Sequence, residues 1–180
     1  MEWTAGPPTF EQWTQMFREC TRSAVHLEMR DTYWVSSEDA LFNAWKAGHR
    51  DDPEDRASWW RPWLGLVEEA VSRGVEVRRA RIVSEPVTEY IRFEYDMTFT
   101  NVLAGEQVRW LPRRKAAPLA LPGCDFWLLD GERVMFNHFN GVGDWAGVEW
   151  TKDPEITDLC SSAFDAVWHL ATAHEEYRTA

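Results

Sequence analysis

The sequence predicts a mixed α/β fold in which a sheet lies between helices. Apolar residues recur at helical spacing in several segments, and the shorter segments between them alternate polar with apolar residues. An Asp-Gly pair between two late segments is typical of a tight hairpin turn. Helices that alternate with strands favour a sheet with helices packed on its faces. With 180 residues, the chain fits one domain, 1–180, that needs no metal or disulfide for its core.

The first third of the chain predicts two helices around one strand. Residues 1–9 read as a loose start with Gly6 and two prolines, and Thr9 is placed to cap the helix that follows. Residues 49–55 are a charged loop, typical of a solvated surface. The predicted elements are a helix over 10–22, a strand over 26–35 and a helix over 36–47.

The remaining two thirds predict helical crossovers between strands, then a hairpin and a closing helix. Pro62 is placed to mark the true start of the first helix, and Gly74 ends it. Crossovers that join parallel strands are expected to be right-handed. The predicted helices are 57–73, 85–103 and 154–178, and the predicted strands are 75–83, 106–111, 125–129, 133–139 and 145–151.

Charge and cysteine content limit the function. Thirty acidic side chains oppose nineteen basic ones, a net charge of −11, which argues against direct binding of nucleic acid. Three cysteines, an odd number without a C-x-x-C pair, favour reduced thiols in the cytoplasm. No secretion signal or bilayer-length apolar run is seen, so no membrane partner is expected. The twelve tryptophans are interpreted mainly as core residues.

Residues 57–139 resemble one half of a phospholipase D-like domain. The likeness rests on a helix followed by Arg73-Gly-Val-Glu-Val-Arg-Arg79, a second helix, a short strand, and Asp125-Phe-Trp-Leu-Leu-Asp-Gly131. The family signature His-x-Lys-x-x-x-x-Asp, aligned on Asp130, puts Gly123 at the histidine and Asp125 at the lysine. The resemblance therefore implies a retained half-domain sandwich without phosphodiesterase chemistry, as in sensor or scaffold modules of transcription regulators.

The same resemblance sets the expected domain organisation. It makes 57–180 the phospholipase D-like core and 1–56 an N-terminal helical and strand addition. Because one phospholipase D-like half usually pairs with another, it also implies a homodimer.

Nearly the whole chain also resembles an uncharacterised actinobacterial family of unknown function. Members are often encoded beside helix-turn-helix regulators, which implies such a regulator as partner but implies no activity. The segments that carry the likeness are His26-Leu-Glu-Met-Arg-Asp-Thr-Tyr33, 84–94, Val108-Arg-Trp-Leu-Pro-Arg113 and 122–131.

A first candidate site is a polar set on the predicted helix 85–103. Tyr90 and Glu94 are four residues apart and share a helix face, and Glu85 and Arg92, seven apart, share another. Together they would hold a polar ligand. The alternative is a set of solvent-exposed ion pairs worth at most about 1 kcal/mol each.

A second candidate lies at the end of the predicted strand 106–111. Arg113 offers a planar fork for a carboxylate or phosphate, close to Trp110, and a strand end that feeds a loop often carries binding residues. The alternative is an ordinary basic turn over 113–115.

A third candidate joins the two strands of the hairpin. Pairing around Asp130-Gly131 puts Asp125 level with Asn137 or close to His138, so that a carboxylate and an imidazole would meet. Such a pair acts as a general base or a pH switch, although a half-buried, hydrogen-bonded histidine is the alternative. Asp130 itself is interpreted as a turn residue.

Other patterns are set aside. The segment 141–146 matches the dinucleotide pattern G-x-G-x-x-A, but strand or loop follows it where a helix is needed. His169 and His174 are five apart, which does not suit a helical metal site, and Cys124 lacks an evident base. No cofactor or metal is expected.

These observations favour a non-catalytic, cytoplasmic binding or regulatory domain that recognises a small ligand or a transcription-regulator partner. The expected ligand-binding residues are Arg79, Tyr90, Arg92, Trp110, Arg113 and Asp125. One alternative is a small-molecule metabolic enzyme that uses His138 with Asp125 or Glu94. Another is a component of a toxin–antitoxin pair.

Overall fold

The structure, a computed structural model, describes residues 1–33 and 39–179. Within them the helices are α1 (Phe10–Glu19), α2 (Asp39–Lys46), α3 (Arg56–Trp59), α4 (Pro62–Ser72), α5 (Glu89–Leu103), α6 (Arg113–Ala116) and α7 (Pro154–Leu170). The strands are β1 (Glu2–Ala5), β2 (Ser23–Glu28), β3 (Glu76–Val83), β4 (Gln107–Pro112), β5 (Phe126–Leu129), β6 (Arg133–Phe139), β7 (Trp145–Thr151) and β8 (Thr172–Ala173).

The strands form one mixed sheet in the order β1-β7-β6-β5-β2-β3-β4-β8. Strands β2, β3 and β4 are parallel neighbours, and the other pairings are antiparallel. The predicted mixed α/β class, with helices flanking a sheet, is confirmed. Strand β2 belongs to the segment 1–56 expected to be an addition, yet it lies between β3 and β5 at the centre of the sheet.

Both faces of the sheet are covered by helices. On one face, helices α1, α4 and α5 pack over buried residues such as Val77 and Trp127. On the other face, α7 packs over Leu27 and Ile82. Successive strand residues point to opposite faces, which fixes the side on which each polar side chain lies. No helix in the described residues has the length and apolarity needed to cross a membrane.

The N-terminal segment is more ordered than predicted. Residues 2–5 form strand β1 beside β7 instead of a loose start. Thr9 caps α1 as expected, in a reciprocal capping box with Gln12. Helix α1 ends at residue 19, three residues short of the prediction, because the backbone N–H groups of Thr21 and Arg22 bond to the Asp130 carboxylate rather than to the helix.

Two predicted segments end differently from expectation. Strand β2 stops at Glu28, and Met29 to Tyr33 form a connecting segment instead of more strand. The predicted strand end at 34–35 and the predicted helix start at Ser36 lie outside the described residues.

Two predicted helices differ from expectation near their N-termini. The segment 57–73 is divided into α3 and α4, and Pro62 is the first residue of α4 as the sequence indicated. Helix α5 begins at residue 89, because Thr88 is its N-cap and accepts a bond from the backbone of Ile91. Glu85 therefore lies outside the helix, and its predicted shared face with Arg92 is wrong.

The closing helix ends eight residues earlier than predicted, at Leu170. The chain then pairs briefly with β4 as strand β8, and Tyr177 stacks on Trp110 with ring planes 8° apart. Covering the large Trp110 ring removes apolar surface from water, which favours this return over further helix. His169 and His174 are consequently not on one helix.

Candidate functional site

A buried ion network lies between the sheet and helix α5, formed by Glu28, Arg79, Arg81, Glu94 and Glu106. Arg79 donates to Glu28 over 2.5 Å and to Glu106 over 2.8 Å. Arg81 lies 2.8 Å from Glu28 and also donates to Glu94. The two arginines are alternate residues of β3, so they share a face, and Glu28 is the register partner of Arg81 on β2.

The arginines of the network are paired with carboxylates that belong to the same network. Burial alone would lower the pKa of Arg79, but the carboxylates of Glu106 and Glu28 raise it above its ordinary value. Glu106, 2% exposed, is also held by the side-chain amide of Asn101 at 2.5 Å. A buried charge is tolerated only when it is paired and hydrogen-bonded. These arginines are therefore committed to carboxylates of the same chain.

His26 extends the network towards β5 and β6. Its ring stacks on Trp127 with centroids 4.3 Å apart, and its Nδ1 lies 3.4 Å from a Glu28 oxygen. Burial lowers the pKa of His26 well below its ordinary value, and the two network arginines lower it further. The Asn137 amide nitrogen lies 3.4 Å from His26 Nε2, while its oxygen, Oδ1, is buried without a hydrogen-bond partner.

Asp125 sits beside this network, at the start of β5. Its Oδ1 accepts from the backbone N–H of Met29 at 2.8 Å, and its Oδ2 accepts from the Tyr33 hydroxyl at 2.5 Å. The pKa of Asp125 is raised to about 7: burial is the largest cause and the charge of Glu28 adds to it, whereas the bond from Tyr33 acts in the opposite direction. Asp125 thus fastens the segment after β2 to the hairpin.

The predicted register of the hairpin is correct, but the predicted dyad does not form. The Asn137 N–H donates to the Asp125 carbonyl at 2.8 Å, as the pairing around Asp130-Gly131 required. His138, the next residue, points to the other face, where its Nε2 lies 3.3 Å from Glu149. Glu94 lies with Arg81 in the network. The structure therefore brings His138 together with neither expected carboxylate.

Arg113 joins the ends of three strands. Its guanidinium donates to the carbonyls of Met29 and Ile82, at 2.7 and 3.1 Å, and to the Ser84 hydroxyl at 2.9 Å. It also pairs with Asp31 at 3.1 Å. Its side chain is 41% exposed, so the edge of this fork faces solvent. Arg113 is the most accessible of the expected ligand-binding residues that lie at the strand ends.

The other expected ligand-binding residues are dispersed. Trp110 is fully buried beneath Tyr177, and its indole N–H donates to His174. Tyr90 packs in the core on the inner face of α5, whereas Arg92 is exposed on the opposite side of the helix. With Glu85 outside α5, the polar set predicted on that helix does not form one site.

Sequence reasoning missed the structural importance of Asp130. Its φ of 53° agrees with the predicted turn, but its carboxylate also accepts from three successive backbone N–H groups, those of Thr21, Arg22 and Ser23, at 2.7–3.0 Å. Although burial opposes ionisation, these donors lower the pKa of Asp130 to about 2. No local sequence pattern predicts a hydrogen bond between residues that are more than 100 positions apart in the chain.

Sequence reasoning also missed the network around Glu28, Arg81 and Glu106. The spacing of Arg79 and Arg81 in a predicted strand was a usable signal, since alternate residues share a face. Their partners come from other elements and needed the sheet order. In the described part of the chain, no group of three or more His, Cys, Asp or Glu is arranged to hold a metal ion.

Comparisons with known proteins support the fold. Residues 11–179 match the model of a family described as "Domain of unknown function (DUF6879)". The structure is similar to Nuc, a phospholipase D family member from Salmonella typhimurium, with a TM-score of 0.57 and 12% identity over 98% of this chain and 97% of that chain. The likeness expected over 57–139 thus extends along nearly the whole chain. At this identity it shows the fold alone.

A second solved structure is similar to a lower degree. It is TrmBL2, an archaeal chromatin protein whose structure is described as showing a novel mode of DNA binding, with a TM-score of 0.48 and 14% identity over 89% of this chain. This chain covers 48% of TrmBL2, about half of its length. No curated protein sequence matches the chain significantly.

Proposed function

We propose that this chain, which belongs to the DUF6879 family of domains of unknown function, is a non-catalytic binding domain that recognises a regulatory protein partner. It would keep a phospholipase D-like fold and use its surface rather than a catalytic centre. The partner would be a basic protein, such as a helix-turn-helix transcription regulator, that contacts nucleic acid itself. The three unpaired thiols support a cytoplasmic location.

The proposal rests on the residue that occupies the position of the catalytic lysine in the phospholipase D signature. Asp125 stands there, 2% exposed, with one carboxylate oxygen bonded to Tyr33 and the other to Met29. Gly123, at the position of the nucleophilic histidine, has no side chain to attack phosphorus. An acid held in this way neither binds a phosphate nor attacks it, which supports a role without phosphodiester chemistry.

The charges support a basic partner. Arg79 and Arg81 would attract an anionic ligand, but both are buried and paired with carboxylates of the chain. The guanidinium of Arg113 is hydrogen-bonded to backbone carbonyls at the strand ends. The chain keeps a net charge of −11. Such a charge attracts basic proteins and repels phosphate backbones.

Two measurements test this function. Hydrolysis of bis(4-nitrophenyl) phosphate, phosphatidylcholine and duplex DNA is measured against a buffer blank, and no turnover above the blank is expected. Turnover that the Asp125→Asn variant loses would contradict the proposal.

Native mass spectrometry of the chain purified from its source cell is expected to show a basic protein bound. Remixing the purified components should then give a complex that weakens with added salt. A chain that carries no protein would also contradict the proposal.

A small polar ligand is a second candidate, favoured by the Asn137 side chain. A buried amide oxygen without a partner is costly, and it lies beside His26 at the centre of the sheet. The same mass spectrum would show a retained small-molecule mass, which the Asn137→Ala variant should lose. Retention of that mass by the variant would place the ligand elsewhere.

A further inference from the structure

A groove lies between helix α1 and the edge of the sheet formed by β1 and β7. One part of it is a cavity of about 230 Å³ lined by side chains of α1, and a second part, towards Lys152, has a volume of about 600 Å³. Thr4, Arg133 and Trp150 line both parts, so the two form one continuous groove. Its lining residues belong neither to the buried ion network nor to the strand ends held by Arg113.

The groove has an apolar floor and polar amide groups along one wall. Val148 and Trp150 are alternate residues of β7, so their side chains lie on the same face of the sheet, where Met16 of α1 packs near them. Gln12 and Gln15 of α1 line the same part of the groove. Apolar surface combined with a few polar groups is typical of small-molecule sites.

Arg133 is a cation of this groove that is only loosely held. Its guanidinium carbon lies 4.7 Å from the centre of the Trp150 ring, and its Nη1 donates to Glu19 over 3.4 Å. Charge-assisted bonds of this kind are usually about 2.7–2.9 Å long. Within the described residues, this long bond is the one hydrogen bond of the guanidinium, and the side chain is 28% exposed. An arginine has several N–H donors, so most of the fork is open to an anion.

Lys152 adds a second cation at the other part of the groove. It is exposed, and in the part of the chain that the structure describes it forms no ion pair. Two carboxylates also line the groove, those of Glu2 and Glu19, but Glu19 is shared between Arg133 and the Gln15 amide, which donates to it at 2.8 Å. The groove therefore offers two available cations beside an aromatic ring, whereas Arg79 and Arg81 are committed to buried glutamates.

We propose that this groove binds a small organic carboxylate that carries an aryl group. The carboxylate accepts from the open donors of Arg133 and is attracted by Lys152, while the aryl group lies against Trp150 and Val148. A cavity of about 150 Å³ is enough for benzene, so the inner part alone has room for a substituted ring. The inference goes beyond the proposed function and does not rest on it.

Fluorine NMR of the full chain with 4-(trifluoromethyl)phenylacetate tests the groove. The neutral analogue 4-(trifluoromethyl)phenylacetamide, which has nearly the same shape, is the matched control ligand. We expect the carboxylate to bind about tenfold more tightly than the amide, and its affinity to fall with added salt, because it alone pairs with the cations. The side-chain amide signals of Gln12 and Gln15 should shift when it binds. Equal affinity for the two probes, or no binding at millimolar concentration, would overturn the proposal.

Variants of the charged lining residues should change the affinity in opposite directions. Arg133→Met should weaken binding of the carboxylate about tenfold, and Lys152→Met, at an exposed position, about threefold. Glu19→Gln should strengthen binding, because it removes the carboxylate that competes for the guanidinium. Arg114→Met, which removes an exposed arginine outside the groove, should leave the affinity unchanged.

Thermal unfolding of each variant shows whether it remains folded at the titration temperature. The Lys152→Met and Glu19→Gln results decide the proposal even if Arg133→Met does not fold, since both positions are on the surface. Wild-type affinity in Lys152→Met, or weaker binding in Glu19→Gln, would place the carboxylate outside this groove.

Discussion

The Tyr33 hydroxyl donates a 2.5 Å hydrogen bond to the Asp125 carboxyl group, across 92 residues of sequence. This contact ties the segment that follows the central strand β2 to the first strand of the hairpin. It also places an acidic group with a raised pKa in the interior, and that gives the stability of the fold a characteristic pH dependence.

Asp125→Asn is expected to remove a decline in stability between about pH 4 and pH 7. Burial raises the pKa of Asp125 to about 7 from its ordinary value of 3.8, so the folded chain holds a proton that the unfolded chain has lost. The free energy of unfolding therefore falls as pH rises through this window. Urea unfolding at several pH values, in wild type and variant, measures the difference.

The comparison with the variant separates Asp125 from His26. The lowered pKa of His26 acts in the opposite direction, because its stabilising contribution is lost as pH falls below the ordinary value of 6.5. That contribution is present in both proteins, so it cancels in the difference. Identical pH profiles for wild type and Asp125→Asn would show that the carboxyl group does not titrate in this range.

Asp130→Asn is expected to destabilise the fold by about 2–3 kcal/mol, because an amide cannot accept all the backbone bonds that the carboxylate accepts. Asparagine tolerates the positive φ of this turn, so backbone strain is not the cause. Chemical denaturation measures the loss. Glu132→Ala, at an exposed position of the same turn, is the matched control.

The loss at Asp130 should also depend on pH. The pKa of Asp130 is lowered to about 2, so its stabilising contribution is present above about pH 4 and disappears as pH falls towards 2. The wild type and Asp130→Asn should converge in stability in acid. A difference that stays constant down to pH 2 would contradict the ionised carboxylate as its source.

Arg79→Met is expected to destabilise the fold by about 3–5 kcal/mol, because it leaves Glu28 and Glu106 as buried charges with one partner fewer. The double variant Arg79→Met/Glu106→Gln should recover part of this loss, since one uncompensated charge is removed. A double-mutant cycle by urea denaturation measures the coupling. Additive losses would show that the two side chains do not interact.

Arg113→Ala is expected to cost about 1–3 kcal/mol, because its bonds to the carbonyls of Met29 and Ile82 hold the strand ends together. Arg114→Ala is the matched control: that side chain is 79% exposed, with a single 3.9 Å ion pair to Glu85. Its loss should stay within about 0.5 kcal/mol. Thermal unfolding of both variants measures the difference, and equal losses would remove Arg113 from the structural role assigned to it.

Much of the fold could be predicted from local patterns. The Asp130-Gly131 turn fixed the hairpin register, Thr9 located the start of the first helix, and Pro62 located the start of α4. Each of these signals acts within a few residues, through backbone dihedral preference or a capping bond. Strand β1 carried no such signal, because its pairing depends on a distant edge strand with a glycine at position 147.

The candidate site was predicted only in part. Asp125 and Arg113 were correctly placed near strand ends. The sequence could not show that Tyr33 donates a hydrogen bond to Asp125 or that Asp31 forms an ion pair with Arg113. His138 and Asp125 are adjacent in register yet on opposite faces, because the side-chain alternation of β6 turns a one-residue offset into a change of side.

By itself, the sequence determined the mixed α/β class, the helices that connect successive strands, the hairpin and the acidic charge. These depend on periodicity, turn chemistry and net charge, which are local or additive properties. Only the tertiary structure decided which charges meet. It buried Arg79 and Arg81 against three glutamates and covered Trp110 with the C-terminal segment. Such contacts join residues far apart in the chain, and their energies depend on burial and partner geometry, which a linear pattern does not contain.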